Sequence, residues 1–186
     1  MLRYQTCPTC PAGTFSVSGG ACTPCVAGTF TATGASSCSP CAAGTYSSIA
    51  GMQSCSDCGA GRYGTGTGMS TCLTCAAGTF SWMSVSSFCT NCSAGTYSTG
   101  SGFTAVSNCS GCSTGAYGSG TGVTVCSSCA AGTYTSSTGN ALCTSCSAGF
   151  VSNSTGVTST SGCIACVTGK FAPSPGGTVC STCPSG

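Results

Sequence analysis

The chain has 186 residues, enough for one ordinary domain, yet charged residues make up only 2% of it and the net charge is +2. Arg3, Arg62, Lys170 and Asp57 are the whole charged complement, and histidine and glutamate are absent. This composition excludes paired-carboxylate and histidine-based catalysis, and three scattered cations form no basic patch for nucleic acid.

The hydrophobic fraction of 40% is supplied largely by cysteine and alanine. Leucine is confined to Leu2, Leu73 and Leu142, and isoleucine to Ile49 and Ile164, so a core of conventional size cannot be built. Serine and threonine together supply about a third of the chain, and glycine adds 30 residues. The 22 cysteines exceed the roughly 8–10% that marks a disulfide scaffold, and such scaffolds belong to oxidising compartments.

In chain order, residues 1–6 are a lead-in with no apolar run of the signal-peptide kind, so a signal is expected upstream or already removed. Eleven C-x-x-C pairs follow, beginning at Cys7, Cys22, Cys38, Cys55, Cys72, Cys89, Cys109, Cys126, Cys143, Cys163 and Cys180. After nearly every pair comes x-[A/T]-G-T-[F/Y], as in PAGTF, VAGTF and AAGTY; the ninth reads SAGFV and the tenth VTGKF. Glycine never fails there: Gly13, Gly28, Gly44, Gly61, Gly78, Gly95, Gly115, Gly132, Gly149, Gly169 and Gly186. A fixed glycine implies either positive φ or a close backbone approach to a disulfide.

Residues 7–57 form three shorter modules, and 58–111 and 112–165 are two three-module super-repeats. The super-repeat period is 54 residues: GRYGTGTGMSTC at 61–72 returns as GAYGSGTGVTVC at 115–126, and the long loops 93–108 and 147–162 correspond. Residues 166–186 hold a tenth module and the first residues of an eleventh, so the chain reads as a segment of a longer array. Within a module, T-[F/Y]-S-x predicts a short strand, then a glycine turn (Gly34, Gly51, Gly100, Gly139), then a second extended stretch. The expected fold is small, disulfide-rich and mainly β or irregular, an elongated solenoid-like rod of about ten modules with no helix and no conventional core. The aromatics Phe15, Phe30, Tyr46, Tyr63, Phe80, Tyr97, Tyr117, Tyr134 and Phe171 are expected to pack on neighbouring disulfides or modules, with an exposed binding stripe as the alternative.

Three chemistries compete for the cysteines. Two C-x2-C pairs can hold zinc, but eleven pairs leave one over, and three cations cannot balance five doubly negative thiolate sites. A redox C-x-x-C needs a helix N-terminus or a nearby cation to lower its thiol pKa, and neither is predicted. Structural disulfides remain. A ladder joining the second cysteine of each pair to the first of the next gives Cys10–Cys22, Cys25–Cys38, Cys41–Cys55, Cys58–Cys72, Cys75–Cys89, Cys92–Cys109, Cys112–Cys126, Cys129–Cys143, Cys146–Cys163 and Cys166–Cys180. It treats all modules alike and leaves over Cys7 and Cys183 to continue the ladder or join a neighbouring subunit. The competing 1–3/2–4 scheme joins modules in twos and conflicts with the three-module period.

The pattern C-x-x-C-x-A-G-T-[F/Y]-S…G…C-x-x-C, from Cys7 to Cys183, resembles the ephrin-receptor-like cysteine-rich repeat and the first module of tumour-necrosis-factor-receptor cysteine-rich domains. The resemblance implies the same ladder pairing and an extracellular or surface protein. The near absence of charge departs from receptor members, whose loops contact ligands through charged residues.

Sequons stand at Asn91 (NCS), Asn108 (NCS) and Asn153 (NST), with Asn153 the strongest because cysteine is poorly tolerated in the middle position. So uncharged a chain needs either glycans on its Ser/Thr-rich loops or regular packing against polymer neighbours. The glycine runs 64–68 and 118–122 lack the GK[ST] and helix of a phosphate loop and read as turns. The chain is thus expected to be a non-enzymatic structural glycoprotein, without cofactor, metal or membrane span in this segment, forming part of a filament, coat or appendage. The alternative is a receptor stalk or ligand-binding region, with Trp82 in the fifth module as its one conspicuous feature.

Overall fold

A computed structural model describes residues 9–184. Each strand is two residues long, and the strands pair into ten two-stranded sheets between chain neighbours, as in Thr14–Phe15 with Thr23–Pro24. The described residues contain no α-helix. Two single-turn 3-10 helices, Val106–Asn108 and Thr160–Gly162, correct the expectation of no helix at all. They sit in the two long loops, whose bridges span 17 residues where most others span 14, so one 3-10 turn takes up three extra residues.

The G-T-[F/Y] signature is a turn followed by a strand. In the first module the Thr14 N–H donates to the Pro11 carbonyl, and Gly13 occupies the third turn position at φ 82°. That position requires positive φ, which glycine adopts without the Cβ penalty. The threonine hydroxyl donates to the same carbonyl, Thr14 Oγ1 to Pro11 O at 2.7 Å, and the arrangement recurs at Thr29, Thr45, Thr96 and Thr133. Where Arg62, Ala116, Phe150 or Lys170 replaces threonine, the backbone bond of the turn persists without the hydroxyl. The later turn glycine of the sixth module is Gly102, at φ 73°, and not Gly100.

The chain divides into two units, Met1–Ala76 with Phe80–Thr90 and Ser101–Ala105, and Ala77–Thr79 with Asn91–Gly100 and Val106–Gly186. Both use one inter-module bonding scheme. In the first, the signature glycines Gly13, Gly28, Gly44 and Gly61 donate to the carbonyls of Thr31, Ser47, Gly64 and Ser81. In the second, Gly78, Gly95, Gly115, Gly132 and Gly149 donate to Ser98, Gly118, Thr135, Ser152 and Ala172, so all nine junctions carry this bond at 2.8–3.2 Å. Every acceptor but Ala172 in turn donates its own N–H onward, for example Ser47 to Met69 O and Thr135 to Val157 O. These bonds satisfy backbone groups that an open two-residue ribbon would otherwise expose.

Candidate functional site

The interior is built from cystines and very small residues. Among the described residues ten bridges are present, joining Cys10–Cys22, Cys25–Cys38, Cys41–Cys55, Cys58–Cys72, Cys75–Cys89, Cys92–Cys109, Cys112–Cys126, Cys129–Cys143, Cys146–Cys163 and Cys166–Cys180. From Cys10 to Cys146 the first cysteine of each bridge is buried. Cys183 is exposed and free, and Cys7 lies outside the described residues. No described group of cysteine and acidic side chains could hold a metal ion.

Beside the cystines lies the residue that follows the aromatic. Thr31, Ser47, Ser81, Ser98, Thr135, Ser152 and Ala172 are all buried there, and Gly64 and Gly118 fill the same place. A Cβ on Gly118 would stand 3.3 Å from Cys112 Sγ and 3.4 Å from the backbone nitrogen of Gly95, so the space is already full. This small-residue column is a second invariant of the sequence, since the position never holds anything larger than threonine. Its signal was present in T-[F/Y]-S-x, where strand propensity alone does not reveal it. The buried hydroxyls are satisfied: Ser47 Oγ donates to Ile49 O, and Ser98 Oγ and Thr135 Oγ1 accept from the Gly78 and Gly115 N–H groups at 2.8 and 2.7 Å. No buried side-chain N or O among the described residues lacks a partner.

A second glycine contact reaches two modules along. A Cβ on Gly13, Gly28, Gly61, Gly78, Gly95, Gly115 or Gly132 would run into the carbonyl of Gly51, Gly68, Gly102, Gly122, Gly139, Gly156 or Gly176 respectively. Positive φ therefore holds for the fixed glycine, while its close approach is to a loop-glycine carbonyl and not, as expected, to a disulfide. These loop glycines, and Gly34 with them, donate to a cystine carbonyl of the preceding module at 2.7–2.9 Å, from Gly34 to Cys10 O through to Gly176 to Cys146 O.

Module five breaks the loop rule. Val85 stands where the others carry a loop glycine, its Cγ1 crowds the position of a Gly44 Cβ, and it donates no bond to Cys58 O. Ser86 replaces the Met52, Met69, Phe103, Val123 or Val157 of other loops, while Trp82, Met83, Val85 and Phe88 point outward. Trp82 rests on the buried Phe80 ring at 5.6 Å and is 60% exposed beside a shallow cleft of about 160 Å³. The other module aromatics are half-buried, except Phe171, which is exposed. The glycine runs 64–68 and 118–122 lie inside the Cys58–Cys72 and Cys112–Cys126 loops with no helix after them.

The three sequons differ in setting. Asn91 lies in the strand Thr90–Asn91 and donates from Nδ2 to Thr121 Oγ1 at 3.4 Å. Asn108 is half-buried at the end of a 3-10 turn. Asn153 lies exposed in a loop, as do Ser154 and Thr155.

A family profile described as tyrosine-protein kinase ephrin type A/B receptor-like matches residues 28–71 and 115–163, half of the chain. The chain belongs to this ephrin-receptor-like family. Its repeats are a non-catalytic, extracellular module type, and with ten intrachain disulfides they point to an extracellular or cell-surface protein. Comparison with curated proteins finds no match. No helix among the described residues is long and apolar enough to cross a membrane.

Proposed function

We propose that this ephrin-receptor-like chain is a structural component of an extracellular filament, coat or appendage, glycosylated on its Ser/Thr-rich loops and associating with further copies of itself. One observation carries the reading: the same backbone bond repeats at all nine junctions. The conserved residues of every module are spent on the turn, the cystine and the next module, which is the design of a load-sharing array and not of a site. Cys7 and Cys183 extend the ladder to a neighbouring stretch or subunit. Labelling of intact, unpermeabilised cells with an antibody to the chain, followed by extraction with and without reductant, tests this. Surface label that resists extraction without reductant and is released by reductant as sugar-bearing chain is expected. A freely extracted monomer with both cysteines alkylatable would overturn it.

The loop of module five favours a second reading, a receptor stalk with a ligand contact, because Trp82, Met83 and Phe88 are the residue types enriched at interface centres. On that reading Trp82→Ala abolishes binding to the partner cell surface and leaves surface assembly intact. The structural reading differs in the binding outcome alone, with assembly and adhesion both indifferent to Trp82.

A further inference from the structure

Exposed apolar side chains recur along this uncharged chain, and one group of them sits beside a modifiable asparagine. Ile164, Val167 and Val179 are 64%, 67% and 72% exposed. With Val151 and Lys170 they line a depression of about 350 Å³, and Asn153 lines it too. All of these residues belong to the second unit. An open apolar surface of this kind promotes association unless something covers it.

We infer that Asn153 carries an N-linked glycan whose first sugars lie over this depression, and that Asn91 and Asn108 do not carry one. The inference rests on the secretory location proposed above. The reaction joins Asn153 Nδ2 to C1 of the first sugar of a lipid-pyrophosphate-linked oligosaccharide. The C1–O bond to pyrophosphate breaks, the lipid pyrophosphate leaves, and the displaced amide proton passes to a base of the transferase. The Asn153 setting suits the product: its Oδ1 accepts from Ser154 Oγ at 3.3 Å, Nδ2 makes no hydrogen bond, and Thr155 stands clear in solvent.

The other two sequons oppose it. A sugar on Asn91 would replace the Nδ2 donation to Thr121, and this side chain already lies 3.2 Å from the position of a Gly122 Cβ. In both NCS sequons the middle residue is a bridged cysteine, Cys92 and Cys109 being joined to each other. Asn108 is also half-buried, with partners of its own. The carbon-bound hydrogens of a sugar ring suit Ile164, Val167 and Val179, while its hydroxyls restore a wetted outer surface in a region where Lys170 is the sole charge.

The test uses the full chain secreted from eukaryotic cells and purified without reductant. Peptide mapping after enzymatic glycan release in heavy-oxygen water reads the occupied asparagines. Fluorescence of a hydrophobic dye is measured before and after release, in the wild type, in Thr155→Ala and in a combined Ile164→Ser, Val167→Ser, Val179→Ser variant. The expected result is label at Asn153 alone. Release, or Thr155→Ala, should raise dye fluorescence at least about twofold, and release from the triple variant should leave it flat. Unmodified Asn153 in fully bridged secreted protein overturns the inference and leaves the location standing. So does label at Asn91 or Asn108, or an occupied Asn153 whose release leaves the dye signal unchanged. Alkylatable thiols throughout would remove the secretory reading, and this inference with it.

Discussion

Replacing Gly132 and Gly169 by alanine, one at a time, separates the two demands made on the signature glycine. Their φ values are alike, 81° and 82°. Left-handed geometry costs an alanine about 1–2 kcal/mol at either position. The surroundings differ. A Cβ at Gly132 would strike the carbonyl of Gly176, whereas none lies within 4 Å at Gly169. Overpacking against backbone adds about 1–3 kcal/mol, so Gly132→Ala should cost about 2–5 kcal/mol in all. Native-state amide exchange is the suitable assay, because a repeat array opens locally and a single unfolding free energy is ill defined. The reporters are the Ser152 and Gly176 amides, bonded to Gly177 O and Cys146 O. At 1.4 kcal/mol per decade, Gly132→Ala should speed their exchange about 5- to 150-fold more than Gly169→Ala does. Equal acceleration by both variants would refute the close-approach argument and leave only the φ argument.

Three further outcomes test the same reasoning. Val85→Gly should let residue 85 donate to Cys58 O as the other loop glycines do, slowing its amide exchange about tenfold, the value of one ordinary hydrogen bond; unchanged exchange counts against the loop rule. Ser47→Leu, at a position with no exposure, should destabilise its module by about 1–3 kcal/mol through overpacking of the cystine column, whereas Ser47→Ala should cost no more than about 1 kcal/mol, and exchange of the Gly28 amide and of residue 47's own amide, bonded to Met69 O, reads the difference. Removing one bridge with Cys112→Ala and Cys126→Ala should lower local stability by about 3 kcal/mol, shown by proteolytic nicking confined to residues 113–125; cleavage spread over the whole chain would mean that the modules are not independent.

Much of this architecture was legible because its determinants are chemical types at fixed spacing. The pair C-x-x-C, the signature glycine and the aromatic announced a tandem, cystine-based fold, and the extra residues of 93–108 and 147–162 located the two places where the module changes. Three features were not legible. The 3-10 turns at Val106–Asn108 and Thr160–Gly162 have no helical periodicity to signal them, since three residues cannot show a period. Gly100 and Gly102 are equivalent as turn residues in the sequence, and only the bond from Gly102 to Cys75 O chooses between them. The buried column of Ser, Thr, Gly and Ala hides because its members read as polar surface. Their burial follows from the narrow space beside each cystine, which holds no side chain larger than that of threonine. At the surface, the apolar face of module five was visible as Ser81-Trp82-Met83, but the displaced glycine bond behind it was not.

A core of cystines and single hydroxyls has a consequence for where function can reside. In a conventional domain, half or more of the side chains are committed to packing, so surface and interior must change together. Here the junctions are made by backbone groups, such as Gly115 N–H to Thr135 O, and the bridges fix the loops at their roots. Apart from the buried small residue after the aromatic and the loop glycine, the side chains between the signature aromatic and the next C-x-x-C carry little of the fold. Module five shows the latitude: it exchanges glycine for Val85 and polar residues for Trp82, Met83 and Phe88, and its bridge, its sheet and its bond from Gly61 to Ser81 O are all retained. One lost bond to Cys58 O, about 1 kcal/mol, is the whole structural penalty visible there. Any specific recognition by this chain is therefore a matter for the exposed loop positions, which module five shows can change while the bridge and the sheet persist.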